Sequence, residues 1–89
     1  MARVNFTQNL ERHVDCPTCE VEARTVREAL DAVFVRYPLL RGYVVDDQGA
    51  VRKHMAIFLN GAQIRDRATQ SDPLAPDSDL YVLQALSGG

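Results

Sequence analysis

The 89-residue sequence predicts one α+β domain, and three observations predict it. Apolar and polar residues alternate near both ends of the chain. Between them runs a stripe of apolar residues spaced by three and four. An Asn-Gly pair punctuates the second half. Alternation with a period of two marks half-buried strands, and spacing by three and four marks one face of a helix. Asn-Gly favours the left-handed backbone of a tight hairpin turn. A hairpin, a helix lying across a sheet and then further strands make an α+β arrangement.

Residues 3–10 are the first expected strand, with Val4 and Phe6 on one face and Asn5 and Thr7 on the other. Residues 11–18, which include Pro17, are the connecting turn, and residues 19–23 (Cys-Glu-Val-Glu-Ala) alternate again as a second strand. Thr25 opens the helix. Thr25 and Glu28 have the spacing of a capping box, in which each side chain satisfies the other residue's backbone N–H. Val26, Ala29, Leu30, Val33, Phe34 and Tyr37 then form one continuous apolar stripe. Pro38 is expected to stop this helix, because the residue before a proline avoids the α region. Leu39 and Leu40 are expected to tuck beneath its end.

Asp46-Asp47-Gln48-Gly49 is a turn signal. Residues 51–59 are the next strand, with Met55, Ile57 and Leu59 alternating against Ala56 and Phe58. Asn60-Gly61 reverses the chain, and residues 62–64 return as a short strand. Residues 65–79 hold Pro73 and Pro76, are mostly polar and are expected to be a long loop with at most a turn of 3₁₀ helix. Residues 80–86 are the last strand. The expected division is a body at 1–86 and a flexible tail, Ser87-Gly88-Gly89, at 87–89. Pairing the first and last strands in parallel at the centre of the sheet fits the alternation of both.

Composition excludes several classes. The net charge of −2 comes with no basic stripe, so a nucleic-acid partner is not expected. No apolar run approaches the ~20 residues needed to cross a bilayer, and no membrane partner is expected. The first ten residues hold Asn5, Thr7, Gln8 and Asn9 where a signal peptide needs an apolar block. A cytoplasmic location is the default expectation, and Cys16 and Cys19 are then not expected to form a structural disulfide.

The chemistry is expected at the tail. Two glycines at a given C-terminus arise by composition in roughly 0.5% of chains. Here only Ser87 separates them from an apolar strand, so a rigid body presents them at a fixed reach. Glycine has no Cβ and can thread a narrow channel in conformations closed to other residues. The terminal carboxylate is a poor electrophile until attack on the α-phosphate of ATP makes it an acyl-adenylate. A sulfur nucleophile can then displace AMP and leave a thiocarboxylate. No catalytic side chain of this chain is required, because the activating enzyme supplies the ATP site and the electrostatic stabilisation.

Residues 72–89, Asp-Pro-Leu-Ala-Pro-Asp-Ser-Asp-Leu-Tyr-Val-Leu-Gln-Ala-Leu-Ser-Gly-Gly, resemble the C-terminal signature of the ThiS/MoaD family. That signature has a Leu, a short acidic-Gly-Asp turn, an alternating apolar strand and a terminal Gly-Gly. Thr25-Val26-Arg27-Glu28-Ala29-Leu30 resembles the family's helix start, and Ile57-Phe58-Leu59-Asn60-Gly61 its central strand and turn. The stretch from Tyr37 to His54 is longer than in the shortest members and resembles the CysO-like branch, which serves cysteine biosynthesis. Ser78 departs from the family, which more often has Gly there, and Ser87 replaces the more usual Ala or Thr.

The resemblance implies a ubiquitin-like β-grasp fold, a mixed sheet of four to five strands with one main helix packed on one face. It implies a sulfur carrier rather than an enzyme, with Gly89 adenylated and then thiocarboxylated and Gly88 threading the activating enzyme. The implied partners are a ubiquitin-activating-type adenylyltransferase that uses ATP, a rhodanese or cysteine desulfurase as sulfur donor, and a downstream sulfur-accepting biosynthetic enzyme. No bound cofactor and no metal are expected on the carrier itself.

Cys16-Pro17-Thr18-Cys19, with His13 nearby, has two thiols and an imidazole. A structural zinc site needs four ligands and no second Cys pair exists, and a redox dithiol belongs at a helix N-terminus rather than in a hairpin turn, so ordinary turn and strand residues are the favoured reading over a metal or redox role. Arg52, Lys53 and His54 form a solvated basic edge, or part of a docking surface for an acidic partner face. Asp77 and Asp79 suit an acidic turn better than a cation site. If Ile57, Leu59, Leu80 and Val82 face the helix, then Phe58, Tyr81, Leu83 and Ala85 point from the opposite sheet face and form a candidate partner-docking patch. The functions left open are a sulfur carrier, a protein modifier joined to lysines through Gly89, and a non-catalytic binding subunit.

Overall fold

Alternation of apolar residues sets which side of each strand is buried. The structure, a computed structural model, describes residues 1–6 and 18–84, with the backbone alone at Gln84. In β1 (Ala2–Phe6), Ala2, Val4 and Phe6 are buried, while Arg3 is exposed and Asn5 half-buried. β2 (Thr18–Val21) pairs antiparallel to it and turns Cys19 and Val21 to the same side. The second half of the first expected strand and most of the connecting turn lie outside the described residues.

α1 (Val26–Arg36) follows, and its stripe of Val26, Ala29, Leu30, Val33 and Phe34 is buried. Each such large apolar side chain contributes about 1.5–3 kcal/mol by leaving water. Thr25 Oγ1 accepts the Glu28 N–H at 3.2 Å, the expected half of the capping box. The Glu28 carboxylate reaches one residue further back than expected and accepts the Arg24 N–H at 3.0 Å. The first turn of a helix leaves backbone N–H groups without partners inside the helix. Here Val26 N–H donates to Asp72 O at 3.0 Å and Arg27 N–H to Gln70 O at 2.8 Å, so a distant loop caps the helix.

Pro38 does end α1, but it also begins α2 (Pro38–Val44), a second helix that the sequence reading did not expect. The first helical position needs no N–H, and proline's fixed φ suits it. Leu40 is buried beneath α2 together with Val44, whereas Leu39 is 80% exposed and does not tuck under α1 as expected.

The next strand is shorter than expected. β3 (Met55–Leu59) begins only after a turn at Lys53 and His54, and Val51 instead forms an isolated bridge with Val45. Asn60, with φ of +51°, and Gly61, with φ of +90°, make the expected hairpin turn. β4 (Ala62–Gln63) returns, and β5 (Asp79–Gln84) completes a five-stranded sheet in the order β2-β1-β5-β3-β4. β5 is parallel to β1 and antiparallel to β3, so the sheet is mixed, with the last strand at its centre. The helices cover one face.

The loop before β5 is organised by side chains. The Asp66 carboxylate accepts the hydroxyls of Ser71 and Thr69 and the amides of Ala68, Thr69 and Ser71. These bonds, the Ser71 hydroxyl first and the Thr69 hydroxyl next, hold its pKa well below the usual carboxylate range. Asp72 accepts the amides of Arg65 and Asp66, each at 2.9 Å. Gln70 is buried with φ of +53°, and its amide Nε2 donates to Gly49 O at 3.0 Å and Arg67 O at 2.7 Å. The Arg67 guanidinium donates to Arg52 O at 2.6 Å and Met55 O at 2.8 Å. Ser78, the departure from the family turn, is buried, and its hydroxyl accepts the Ala75 N–H at 2.8 Å. Its φ is not positive, so this turn does not require glycine.

Candidate functional site

The face of the sheet away from the helices is the candidate site, because β5 both crosses its centre and leads toward the terminal glycines. Register builds the surface row by row. Thr18, Asn5, Tyr81, Phe58 and Gln63 lie opposite one another across all five strands. Asn5 is held at this row by two hydrogen bonds, since its Nδ2 donates to Leu80 O at 3.0 Å and its Oδ1 accepts the Thr18 hydroxyl at 3.0 Å. Tyr81 sits beside it and is 50% exposed, while Phe58 and Leu83 are half-buried. Leu83 pairs across the sheet with buried Ala56.

Three of the four expected docking residues, Phe58, Tyr81 and Leu83, therefore share this face, as the alternation of their strands requires. Their neighbours Ile57, Leu59, Leu80 and Val82 turn the other way, where Ile57, Leu80 and Val82 are fully buried and Leu59 half-buried. Ala85, Gly88 and Gly89 lie outside the described residues. Asn5, Thr18 and Gln63 were missed as members of the surface. Period two alone would have put Asn5 on the outer face, but its place beside Tyr81 depends on the β1–β5 register.

Charge frames the aromatic row at the start of β5. Arg3 and Asp79 lie side by side there, Nε to Oδ1 at 4.0 Å, both about half exposed. Exposed pairs of this kind contribute little to stability. Asp79 is thus paired with a cation and with Asn60, while Asp77 is exposed. Among the described residues no three His, Cys, Asp or Glu side chains come together as a metal-binding group. Cys19 is buried in the core opposite Val4, away from solvent, and Cys16 and His13 lie outside the described residues. His54 and Lys53 are exposed in the turn before β3. No described helix is long and apolar enough to cross a membrane.

A helical layer over a five-stranded mixed sheet with a parallel first and last strand defines a ubiquitin-like β-grasp protein. Solved structures similar to it have the same fold. SAMP1 from Haloferax volcanii superposes with a TM-score of 0.83 at 24% identity, covering 99% of this chain and 98% of that one. The CysO of Amycolatopsis orientalis, solved in the BexX/CysO complex, gives 0.86 at 20% identity over the full length of both chains. Mycobacterium tuberculosis CysO gives 0.84 at 15% identity, covering 97% and 100%. No curated protein sequence matches significantly. The chain belongs to the ThiS family, whose model matches residues 11–89.

Proposed function

We propose that this chain is a sulfur carrier whose working group is the carboxylate of Gly89. A ubiquitin-activating-type adenylyltransferase joins that carboxylate to the α-phosphate of ATP and releases pyrophosphate. The terminal sulfur of an enzyme persulfide, formed on a rhodanese or by a cysteine desulfurase, displaces AMP to give an acyl disulfide, and a second thiol reduces that S–S bond so that a thiocarboxylate remains and an enzyme disulfide is formed. A downstream biosynthetic enzyme consumes it to make cysteine, molybdopterin, thiamine or another sulfur-containing metabolite. The carrier is a co-substrate in each step. A reducing cytoplasm is the compartment that suits this chemistry.

The observation that carries this reading is the extent of the family match, which runs through residue 89 and so takes in Gly88 and Gly89. The geometry supports it. Five residues follow Gln84, and a chain of five spans at most about 18 Å. An enzyme that activates Gly89 must therefore grip the body close to the end of β5. The open sheet face meets that need, with Tyr81 as an aromatic anchor and Phe58 and Leu83 as its apolar surround.

Intact mass tests the reading. Incubation with ATP, the cognate adenylyltransferase and a sulfur donor is expected to add about 16 Da, one oxygen exchanged for sulfur at an activated acyl group. Conjugates linked to lysine through Gly89 would make the chain a protein modifier instead. An unchanged mass with every adenylating partner would leave a binding subunit.

A further inference from the structure

We infer that the helical layer carries a second docking site, which takes an acidic, apolar-anchored segment of a partner protein. It is separate from the open sheet face. A groove of about 340 Å³ runs between α1 and α2, lined by Arg27, Asp31, Phe34, Val35, Pro38 and Arg41. Its apolar part comes from Phe34, Val35 and Pro38, and arginines contributed by both helices flank that part.

Two features of this groove have no role in folding the chain. Val35 is 81% exposed in α1. A β-branched residue lowers helix propensity, and here it buries nothing within the chain that would offset the loss. The second feature is Arg41, whose guanidinium makes no hydrogen bond or ion pair among the described residues. Arg27 meets only Asp31, at 3.9 Å between half-exposed groups, a weak pair that an incoming carboxylate can displace.

Charge decides the occupant. The chain as a whole is at −2, yet this groove presents two arginines against one aspartate. An uncharged apolar segment would leave Arg41 without a partner at the rim. A segment that places an apolar side chain against Val35 and a carboxylate at Arg41 satisfies both, and guanidinium binds carboxylate through paired N–H donors.

The test uses the whole ¹⁵N-labelled chain and a synthetic peptide, acetylated and amidated, that alternates glutamate and leucine over twelve residues. Amide shifts are expected to move and saturate along α1 and α2, and to weaken as added salt screens the charges. Arg41→Glu is expected to raise the Kd about tenfold, and the glutamine version of the peptide to bind about tenfold more weakly as well. Arg65→Glu, an exposed charge reversal outside the groove, is expected to change nothing. Shifts confined to another surface, equal binding of the glutamine peptide, or no shifts at millimolar peptide would each overturn the proposal. A dimer in sedimentation that Val35→Asp dissolves would overturn it too, by giving the groove to a second copy of the chain. None of these readouts involves Gly89, so the site stands or falls apart from the sulfur-carrier reading.

Discussion

Asn60 and Asp79 hold each other by two reciprocal hydrogen bonds of 2.9 Å. The Asn60 N–H donates to Asp79 O, and the Asp79 N–H donates to Asn60 Oδ1. The turn after β3 is thereby fastened to the first residue of β5. Asn60 also occupies a left-handed backbone, at φ of +51°, which asparagine tolerates better than most residues. Asn60→Ala is expected to destabilise the fold by about 1–2 kcal/mol, from the lost bond and the backbone cost together. Asn60→Gly keeps the backbone freedom and is expected to lose roughly half as much. Urea denaturation midpoints of the two variants check the order.

Gln70 is expected to be more sensitive. Its buried amide donates to the carbonyls of Gly49 and Arg67, and truncation leaves both acceptors without that partner. Gln70→Ala is expected to cost about 1–3 kcal/mol from the lost bonds, since glutamine and alanine bear the positive φ alike. Amide hydrogen exchange resolves the effect, with the amides of residues 49–51 expected to lose protection first.

Acid stability is expected to depend on Asp66. Its native pKa lies below the ordinary 3.8, because hydroxyls of Ser71 and Thr69 and nearby amides bond the charged form. The unfolded chain therefore takes up this proton before the native one does. The contribution of Asp66 to stability is full above about pH 3.8 and falls away as the pH drops toward its lowered native value. Asp66→Asn is expected to lower the melting temperature at neutral pH and to flatten the decline below pH 4. Thermal melts across that range check it; a variant as acid-sensitive as the parent would put the acid response elsewhere.

Deleting Gly89 is expected to leave the melting temperature unchanged and to abolish the 16 Da gain. Glycine has no side chain to place in a core, so its loss removes the reactive carboxylate and no packing. Calorimetry and intact mass on the same sample test both halves.

Tyr81→Ala is expected to weaken engagement by the adenylyltransferase by about tenfold to a hundredfold, because exposed aromatics carry much of the binding energy at such surfaces. Loss of the cross-strand contact with Phe58 is expected to cost about 1 kcal/mol or less of stability. A rise in KM for the carrier with a native-like spectrum is the diagnostic result.

Much of the fold was legible because it rests on periodicity. Val4, Phe6, Ile57, Leu80 and Val82 obey the two-residue rule, and the helix obeys spacing by three and four from Val26 to Phe34. The α2 helix was not legible, since seven residues make too few turns to reveal a stripe and Pro38 signals both an end and a beginning. The ties within residues 65–78 escaped because Asp66, Gln70 and Asp72 act through side-chain hydrogen bonds, which leave no periodic trace. Of the candidate site, alternation gave Phe58, Tyr81 and Leu83 their common face. Asn5, Thr18 and Gln63 join it through register, which depends on pairings between distant parts of the chain.

The sheet order has a consequence for synthesis. β1 and β3 do not touch in the sheet; the gap between them is filled by β5 alone. A nascent chain that has not yet released its final strand has two disconnected half-sheets and no closed core, and pairings over such long sequence separations form late. The polypeptide therefore reaches its native shape only once β5 has left the ribosome. Folding itself acts as a checkpoint, in that any correctly shaped molecule has already released its central strand.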